Sequence, residues 1–114
     1  MDIQTETKGN TTVLRVSGDL TLKEEQAFRL VILGLVAQGT INIIMDMTQV
    51  TFIDSRGVGM LISAMKNMRQ KGGDLSIFGI QKPVMAMFEL SQLHLVFRIY
   101  ATEERALKTL STMA

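Results

Sequence analysis

The chain of 114 residues contains no cysteine and a single histidine. Disulfide bonds and thiolate metal sites are therefore excluded, and His94 alone cannot hold a metal ion, so we expect no metal and no other cofactor. Aromatic residues are scarce, with five Phe, one Tyr and no Trp, and the net charge of +1 comes without a cluster of basic residues. Because a nucleic-acid surface needs concentrated positive charge or stacking platforms, we expect no nucleic-acid partner.

Long hydrophobic runs are also missing. No apolar run approaches the roughly 18 residues that suggest a membrane span, and residues 1–6 lack the basic and apolar regions of a secretion signal. We therefore expect a cytoplasmic protein with no direct insertion into a membrane. Hydrophobic residues make up 46% of the chain and charged residues 20%, which is typical of a globular protein. Residues 1–114 contain no linker, repeat or low-complexity segment, so we expect one domain.

Hydrophobic periodicity predicts an α/β fold with the element order β-β-α-β-α-β-α-β-α. Two short alternating runs around Gly9 and Asn10 indicate an N-terminal hairpin. The apolar run 41–47 is typical of a central strand, with a polar step at 48–49. A helix over 55–71 and a strand over 75–80 follow. A strand–helix–strand unit of this length implies parallel strands, so we predict a mixed sheet, an N-terminal hairpin followed by parallel β-α-β units, packed with about four helices.

The last third of the chain continues this alternation. Pro83 suits the first turn of a short helix, residues 96–100 indicate a last strand, and Thr102 is predicted to cap a final helix. In the helix over 55–71, one face is predicted to contact the sheet and the other to be exposed. The sheet-facing set is Val58, Leu61, Ile62, Met65 and Met68, and the exposed set is Arg56, Met60, Ser63 and Asn67.

The first predicted helix runs from Leu22 to about Gln38, with Thr21 as a plausible cap. Its first two turns are polar, whereas nothing from Leu30 to Ala37 is polar. A helix with one buried face normally keeps a polar stripe. Either this half is covered on two sides within the domain, or part of it meets another molecule, including a second copy of the chain.

The junction before the second helix is the place where the sequence indicates a controllable chemical event. Ser55 stands at a helix start, beside free backbone amides and the positive end of the helix dipole. Gly57 and Gly59 remove side-chain bulk from that surface, and Asp54 is itself a candidate cap. Spacing alone also allows a purely structural role, with Ser55 as an N-cap and the glycines giving close packing. The two glycines do not complete a dinucleotide fingerprint.

Residues 46–61, which contain Asp-Ser-Arg-Gly-Val-Gly after an apolar approach, resemble the signature segment of the STAS domain of bacterial anti-sigma-factor antagonists. Weaker matches at 16–20, 72–75 and 95–100 occur in the right order. The resemblance implies that Ser55 is phosphorylated by an anti-sigma factor that is also a serine kinase, and that a PP2C-type serine phosphatase resets the switch. It also implies that the unphosphorylated form binds this anti-sigma factor. The expected partner-binding residues are Asp19, Thr21, Asp54, Arg56, Gly57, Gly59, Met60 and Ser63.

Two departures from the family pattern concern the junction. Arg56 stands where the family usually has a small residue, and Val58 replaces a common leucine. We expect Arg56 to pair with a phosphate on Ser55 or with an acid of the partner. The segment after Asp19 also lacks the second acid and small residues usual in the family, which bears on the choice of anti-sigma factor.

Two other functions share some of these sequence features. STAS-like domains also serve as constitutive scaffold subunits of signalling assemblies or transporters, and the apolar stretch 30–37 favours this alternative; Thr51 would be a second phosphorylation site there, although a strand role fits it better. A serine hydrolase with Ser55 as nucleophile would need a base. His94 lies in a different predicted element, and the glycine two residues before the serine of a nucleophile elbow is missing. We therefore expect a binding module and not an enzyme.

Overall fold

In the computed structural model, which describes residues 1–113 and side chains through Leu110, the described residues form one five-stranded sheet and four α-helices. The strands are β1 (Asp2–Lys8), β2 (Thr11–Leu20), β3 (Asn42–Ile53), β4 (Asp74–Phe78) and β5 (Arg98–Tyr100). The helices are α1 (Glu25–Ala37), α2 (Ser55–Gln70), α3 (Lys82–Leu90) and α4 (Glu103–Met113), with 3-10 turns at Leu22–Glu24 and Leu93–Leu95. The predicted α/β order is confirmed.

The strands lie in the order β1-β2-β3-β4-β5, with β1 antiparallel to β2 and all other neighbours parallel. Gly9 supplies the positive φ, +61°, that the tight turn between β1 and β2 uses. The mixed sheet with an N-terminal hairpin is thus confirmed. Parallel strands bring their carboxyl ends to one edge of the sheet, and it is there that β3 leads directly into α2.

Helices cover both faces of the sheet. On one face, Phe28 of α1, Leu61 of α2 and Phe88 of α3 join the main core. On the other face, Ala106 of α4 packs with a smaller cluster that includes Ile44. Because β3 is buried on both sides, its nearly continuous apolar run is explained.

A half-buried ionic cluster ties α4 to the sheet. The Arg15 guanidinium donates to both carboxylate oxygens of Glu103 at 2.7 and 3.3 Å, to Glu6 at 2.9 Å and to Asp46 at 3.2 Å. These bonds, to Glu103 first and then Glu6, raise the pKa of Arg15. Partial burial acts to raise the pKa of Asp46, but hydrogen bonds from Thr48 and Arg15 outweigh it and hold that pKa below its ordinary value.

Three predicted boundaries were wrong. The central strand does not end at 47, because β3 continues through the polar step at 48–49 to Ile53. Within it, Asp46 accepts hydrogen bonds from the amide and hydroxyl of Thr48. The last strand is shorter than 96–100, since Phe97 turns into the core against Phe88 with ring centroids 5.8 Å apart. Strand β4 covers 74–78 and ends before the predicted 80. The Thr102 cap is confirmed by a 3.2 Å bond from the Arg105 amide to its hydroxyl.

The apolar half of α1 is only partly covered. Ile32 and Leu35 are buried in the main core, whereas Leu30 is 62% exposed and Leu33 is 51% exposed. The interpretation that this half is covered on two sides within the domain is therefore wrong for the described residues. The helix rests on the domain with one face, so its outer leucines remain in contact with solvent.

One assignment on α2 was also wrong. Leu61, Met65 and Met68 are buried as predicted, and Val58 and Ile62 are half-buried, but Met60 is buried although it was placed on the exposed face. Helix α1 packs beside α2, so α2 has a second buried face. Arg56 and Ser63 remain exposed.

Candidate functional site

Asp54, and not Ser55, caps helix α2. Its backbone is extended, and its Oδ1 accepts a 2.8 Å hydrogen bond from the amide of Gly57. The amide of Asp54 donates to the Leu20 carbonyl at 3.3 Å, which fixes the turn against the end of β2. The helix terminus is therefore held by a carboxylate, as the helix dipole favours. The sequence left both Asp54 and Ser55 open as the cap of α2, and the structure assigns the cap to Asp54.

Ser55 is the first residue of α2 and is exposed. Within residues 1–113 its hydroxyl makes no hydrogen bond, because Asp54 already satisfies the amide of Gly57 that an N-cap serine would bind. The side chain is thus accessible to solvent and to a second protein. Removing the hydroxyl leaves the fold's hydrogen bonds intact, so its value to the protein lies elsewhere.

The two glycines of the junction have different roles. A Cβ on Gly57 would overlap the Leu20 carbonyl oxygen and lie 2.7 Å from Cγ1 of Ile53, so glycine lets α2 approach β2 closely. A Cβ on Gly59 would meet nothing within 4 Å, and this residue is exposed. Of the two glycines predicted to bind the partner, Gly57 is buried against β2 and Gly59 is exposed.

A groove of about 470 Å³ runs between α1 and α2 from Ser55 to Asn67. Its lining brings together five of the predicted site residues, which are Ser55, Arg56, Gly59, Met60 and Ser63. The α1 side was missed by the sequence analysis and comprises Glu25, Phe28, Arg29, Ile32 and Leu33. We call this feature the α1–α2 groove. Met60 was predicted on the exposed face, but it is only 8% exposed and forms part of the apolar wall of the groove.

Three charged side chains stand along the α1–α2 groove near Ser55. Glu25 lies 3.7 Å from Nη1 of Arg56 through Oε2 and 3.5 Å from Nη2 of Arg29 through Oε1. The side chains of both arginines are mostly exposed, at 65% and 67%, so these ion pairs are weakly held. The sequence placed Glu25 in the first helical turn but gave no indication of its partners, because they come from a different element.

Asp19 and Thr21 lie at the end of β2 beside the same junction. Asp19 is exposed and accepts a 3.1 Å hydrogen bond from the hydroxyl of Thr51. The Thr21 hydroxyl donates to Glu24 at 3.1 Å and makes no cap bond to a backbone amide. The predicted Thr21 cap was wrong, because a 3-10 turn precedes α1 and delays its start to Glu25. Thr51 of β3 therefore has a structural partner in β2.

Phe52 is an exposed aromatic that sequence analysis assigned only to the apolar approach. It is 53% exposed although Val50 and Ile53 are buried. The pairing of β2 with β3 shifts between Gly18 and Asp19, so Thr51 is skipped and Phe52 pairs with Asp19 on the outer side. This irregularity depends on the pairing of two strands distant in sequence, so no local pattern indicated it.

The arrangement supplies an exposed hydroxyl, and no histidine lines its groove among the described residues. His94 lies in the 3-10 turn Leu93–Leu95 and does not line the α1–α2 groove that holds Ser55. Among the described residues there is no group of three or more His, Asp or Glu side chains suited to hold a metal ion. The helices of residues 1–113 include none with both the length and the hydrophobicity to cross a membrane. The geometry is that of an exposed hydroxyl in the lining of a groove between two helices.

The sequence profile of the STAS domain matches residues 2–106. The chain belongs to the STAS domain family, as the resemblance at 46–61 predicted. The matched residues include the whole five-stranded mixed sheet and the start of α2 at Asp54 and Ser55.

Among curated proteins, the chain is 24% identical to the anti-sigma F factor antagonist of Paenibacillus polymyxa over 115 residues, covering 100% of this chain and 98% of that protein. Among solved structures, phosphorylated SpoIIAA of Bacillus matches with a TM-score of 0.73 at 26% identity, covering 95% of this chain and 98% of that one. An anti-sigma factor antagonist from Mycobacterium paratuberculosis has a TM-score of 0.85 at 21% identity over 96% and 93% of the two chains. The similarity to the mycobacterial protein is one of fold alone, because the two sequences are only 21% identical.

Proposed function

We propose that this STAS domain is an anti-sigma-factor antagonist, a protein-binding module controlled by phosphorylation of Ser55. The observation that carries the proposal is the exposed Ser55 hydroxyl, which makes no hydrogen bond within residues 1–113 because Asp54 has taken the capping role. A kinase can modify such a hydroxyl without disturbing the helix end. The names of the relatives from Paenibacillus and Bacillus support the same function.

The partner is an anti-sigma factor that is also a serine kinase. In the unphosphorylated form it docks on the surface formed by the exposed residues Asp19, Ser55, Arg56, Gly59 and Ser63, and its binding releases a sigma factor. A phosphoryl group adds nearly two negative charges and three strong acceptors to this surface. A partner fitted to a neutral hydroxyl is then repelled, and a PP2C-type serine phosphatase restores binding. The binding, the phosphorylation and its reversal take place in the cytoplasm, where sigma factors act.

Phosphorylation by the cognate anti-sigma factor tests the proposal. Intact mass should show one added phosphoryl group, and peptide mapping should place it on Ser55. The Ser55→Ala variant should accept none, whereas Ser91→Ala, which alters an exposed serine at the end of α3, should be modified like the unaltered protein. Modification that persists in Ser55→Ala would overturn the assignment.

A second candidate function has its own observation. Leu30 and Leu33 project from α1 with 62% and 51% of their surface exposed, as expected of a scaffold subunit with a permanent interface between copies. Sedimentation should then show a concentration-independent oligomer that the double change Leu30→Gln and Leu33→Gln converts to monomer. A monomer at all concentrations would leave the phosphorylation switch as the better account.

A further inference from the structure

The N-terminus of α2 is poorly suited to hold a phosphate without the help of side chains. Asp54 already occupies the amide of Gly57 and places a carboxylate next to Ser55. A phosphoryl group on Ser55 would therefore meet a neighbouring negative charge as well as the positive end of the helix dipole. A dianion in this position needs side-chain cations.

Two such cations stand beside Ser55 along the α1–α2 groove. Arg56 follows Ser55 directly in the sequence, and Arg29 of α1 lines the same groove. Both guanidinium groups approach the same carboxylate, Glu25, from opposite oxygens at 3.7 and 3.5 Å. Both arginines thus line the same groove as Ser55, and each has only Glu25 as its ion partner among the described residues.

The present ion pairs are weak enough to be exchanged. Pairs between exposed side chains typically contribute about 0–1 kcal/mol, and these two exceed the about 2.7–2.9 Å of a short charge-assisted hydrogen bond. A phosphate carries about twice the charge of a carboxylate and matches the fork of an arginine with two parallel hydrogen bonds. We therefore expect the arginines to bind the phosphate in preference to the carboxylate of Glu25.

We propose that a phosphoryl group on Ser55 is bound within the chain by Arg56 and Arg29, which leave Glu25 to reach it. This inference rests on the proposed phosphorylation of Ser55 and describes how the switch works. Modification would break the ion pair that joins α1 to α2 through Arg56 and expose the carboxylate of Glu25. The groove entrance, with two arginines and one glutamate, changes from a net charge of +1 to about −1 when a dianion is added.

The test is a titration of phosphoserine by ³¹P NMR, with phosphoserine placed at position 55 during translation so that no kinase is needed. A free phosphoserine has a second pKa near about 6. We expect the unaltered chain to titrate below the Arg56→Gln variant by at least about half a pKa unit, or roughly threefold in proton affinity. Arg29→Gln should shift the pKa in the same direction, and the double variant should shift it further.

Lys66→Gln is the matched control, because Lys66 is exposed on the same helix eleven residues from Ser55 and its loss changes the net charge by the same amount. Arg56→Lys retains the charge but not the fork and should fall between the unaltered chain and Arg56→Gln. If Arg56→Gln and Arg29→Gln titrate like Lys66→Gln, the intramolecular capture is wrong. That outcome is independent of whether the kinase modifies Ser55, so it is separable from failure of the proposed function.

Discussion

Two of the ionic clusters in this molecule, those around Arg15 and Glu25, lie on opposite faces of the sheet and are built differently. Around Arg15, three carboxylates from different elements make hydrogen bonds of 2.7 to 3.3 Å with a half-buried guanidinium. Around Glu25, the guanidinium nitrogens of the exposed Arg29 and Arg56 lie 3.5 and 3.7 Å from the carboxylate oxygens. The first geometry holds α4 to the sheet, whereas the second leaves charged groups ready to change partners beside Ser55.

The same division between structural and exposed residues occurs within one turn. Asp54 and Gly57 fix the start of α2 against β2, while Ser55, Arg56 and Gly59 stay on the surface. Neighbouring residues of one motif therefore have different roles, some in holding the fold and some at the surface. The effect of a substitution in the motif can be interpreted only when the role of the substituted residue is known.

The largest effect is expected at Gly57. Gly57→Ala places a methyl group against the Leu20 carbonyl and Ile53, so backbone must move, and we expect a loss of about 3 kcal/mol in the free energy of unfolding. Gly59→Ala is the matched control, because its methyl group meets nothing within 4 Å and alanine favours a helix by about 1 kcal/mol over glycine. Urea denaturation of both variants measures the contrast, and equal losses would show that α2 is placed incorrectly.

The two ionic clusters can be compared directly by removing one arginine from each. Arg15→Ala leaves three carboxylates without their shared donor and should cost about 2 kcal/mol. Arg56→Ala removes only an exposed long-range pair and should cost less than about 0.5 kcal/mol. The free energies of unfolding, measured at the same salt concentration, would contradict the comparison if the Arg56 variant lost as much as the Arg15 variant.

Acid should weaken the Arg15 cluster through Asp46. Because the pKa of folded Asp46 lies below the ordinary value of 3.8, its ionised form stabilises the fold above that pH, and the contribution is lost as the pH falls through the folded pKa. Asp46→Asn should lose about 1 kcal/mol at pH 7, and the gap from the unaltered chain should narrow below pH 3.8. A gap that stays constant down to pH 2 would assign the effect to packing.

Sequence reasoning was most successful where one segment decides its own structure. The unbroken apolar run of β3, the periodic face of α2 at Leu61, Met65 and Met68, and the Thr102 cap were all readable locally. It failed where a distant element decides. Met60 is buried by α1, and Gly57 is buried because the carbonyl of Leu20 comes close.

The groove beside Ser55 shows the same limit. Glu25 and Arg29 are unremarkable in the first turns of a polar helix start, and only the packing of α1 against α2 brings them to Arg56. Phe52 became exposed through a shift in pairing between β2 and β3 that involves residues some thirty positions apart. Such features depend on tertiary contacts that no local pattern encodes.

The measurement that tests the central claim most directly is the affinity of the cognate anti-sigma factor for two forms of this chain. One form carries serine at position 55 and the other phosphoserine, and calorimetry gives both dissociation constants at the same ionic strength. We predict that the phosphorylated form binds at least about tenfold more weakly, which corresponds to about 1.4 kcal/mol. Equal dissociation constants for the two forms would contradict the account.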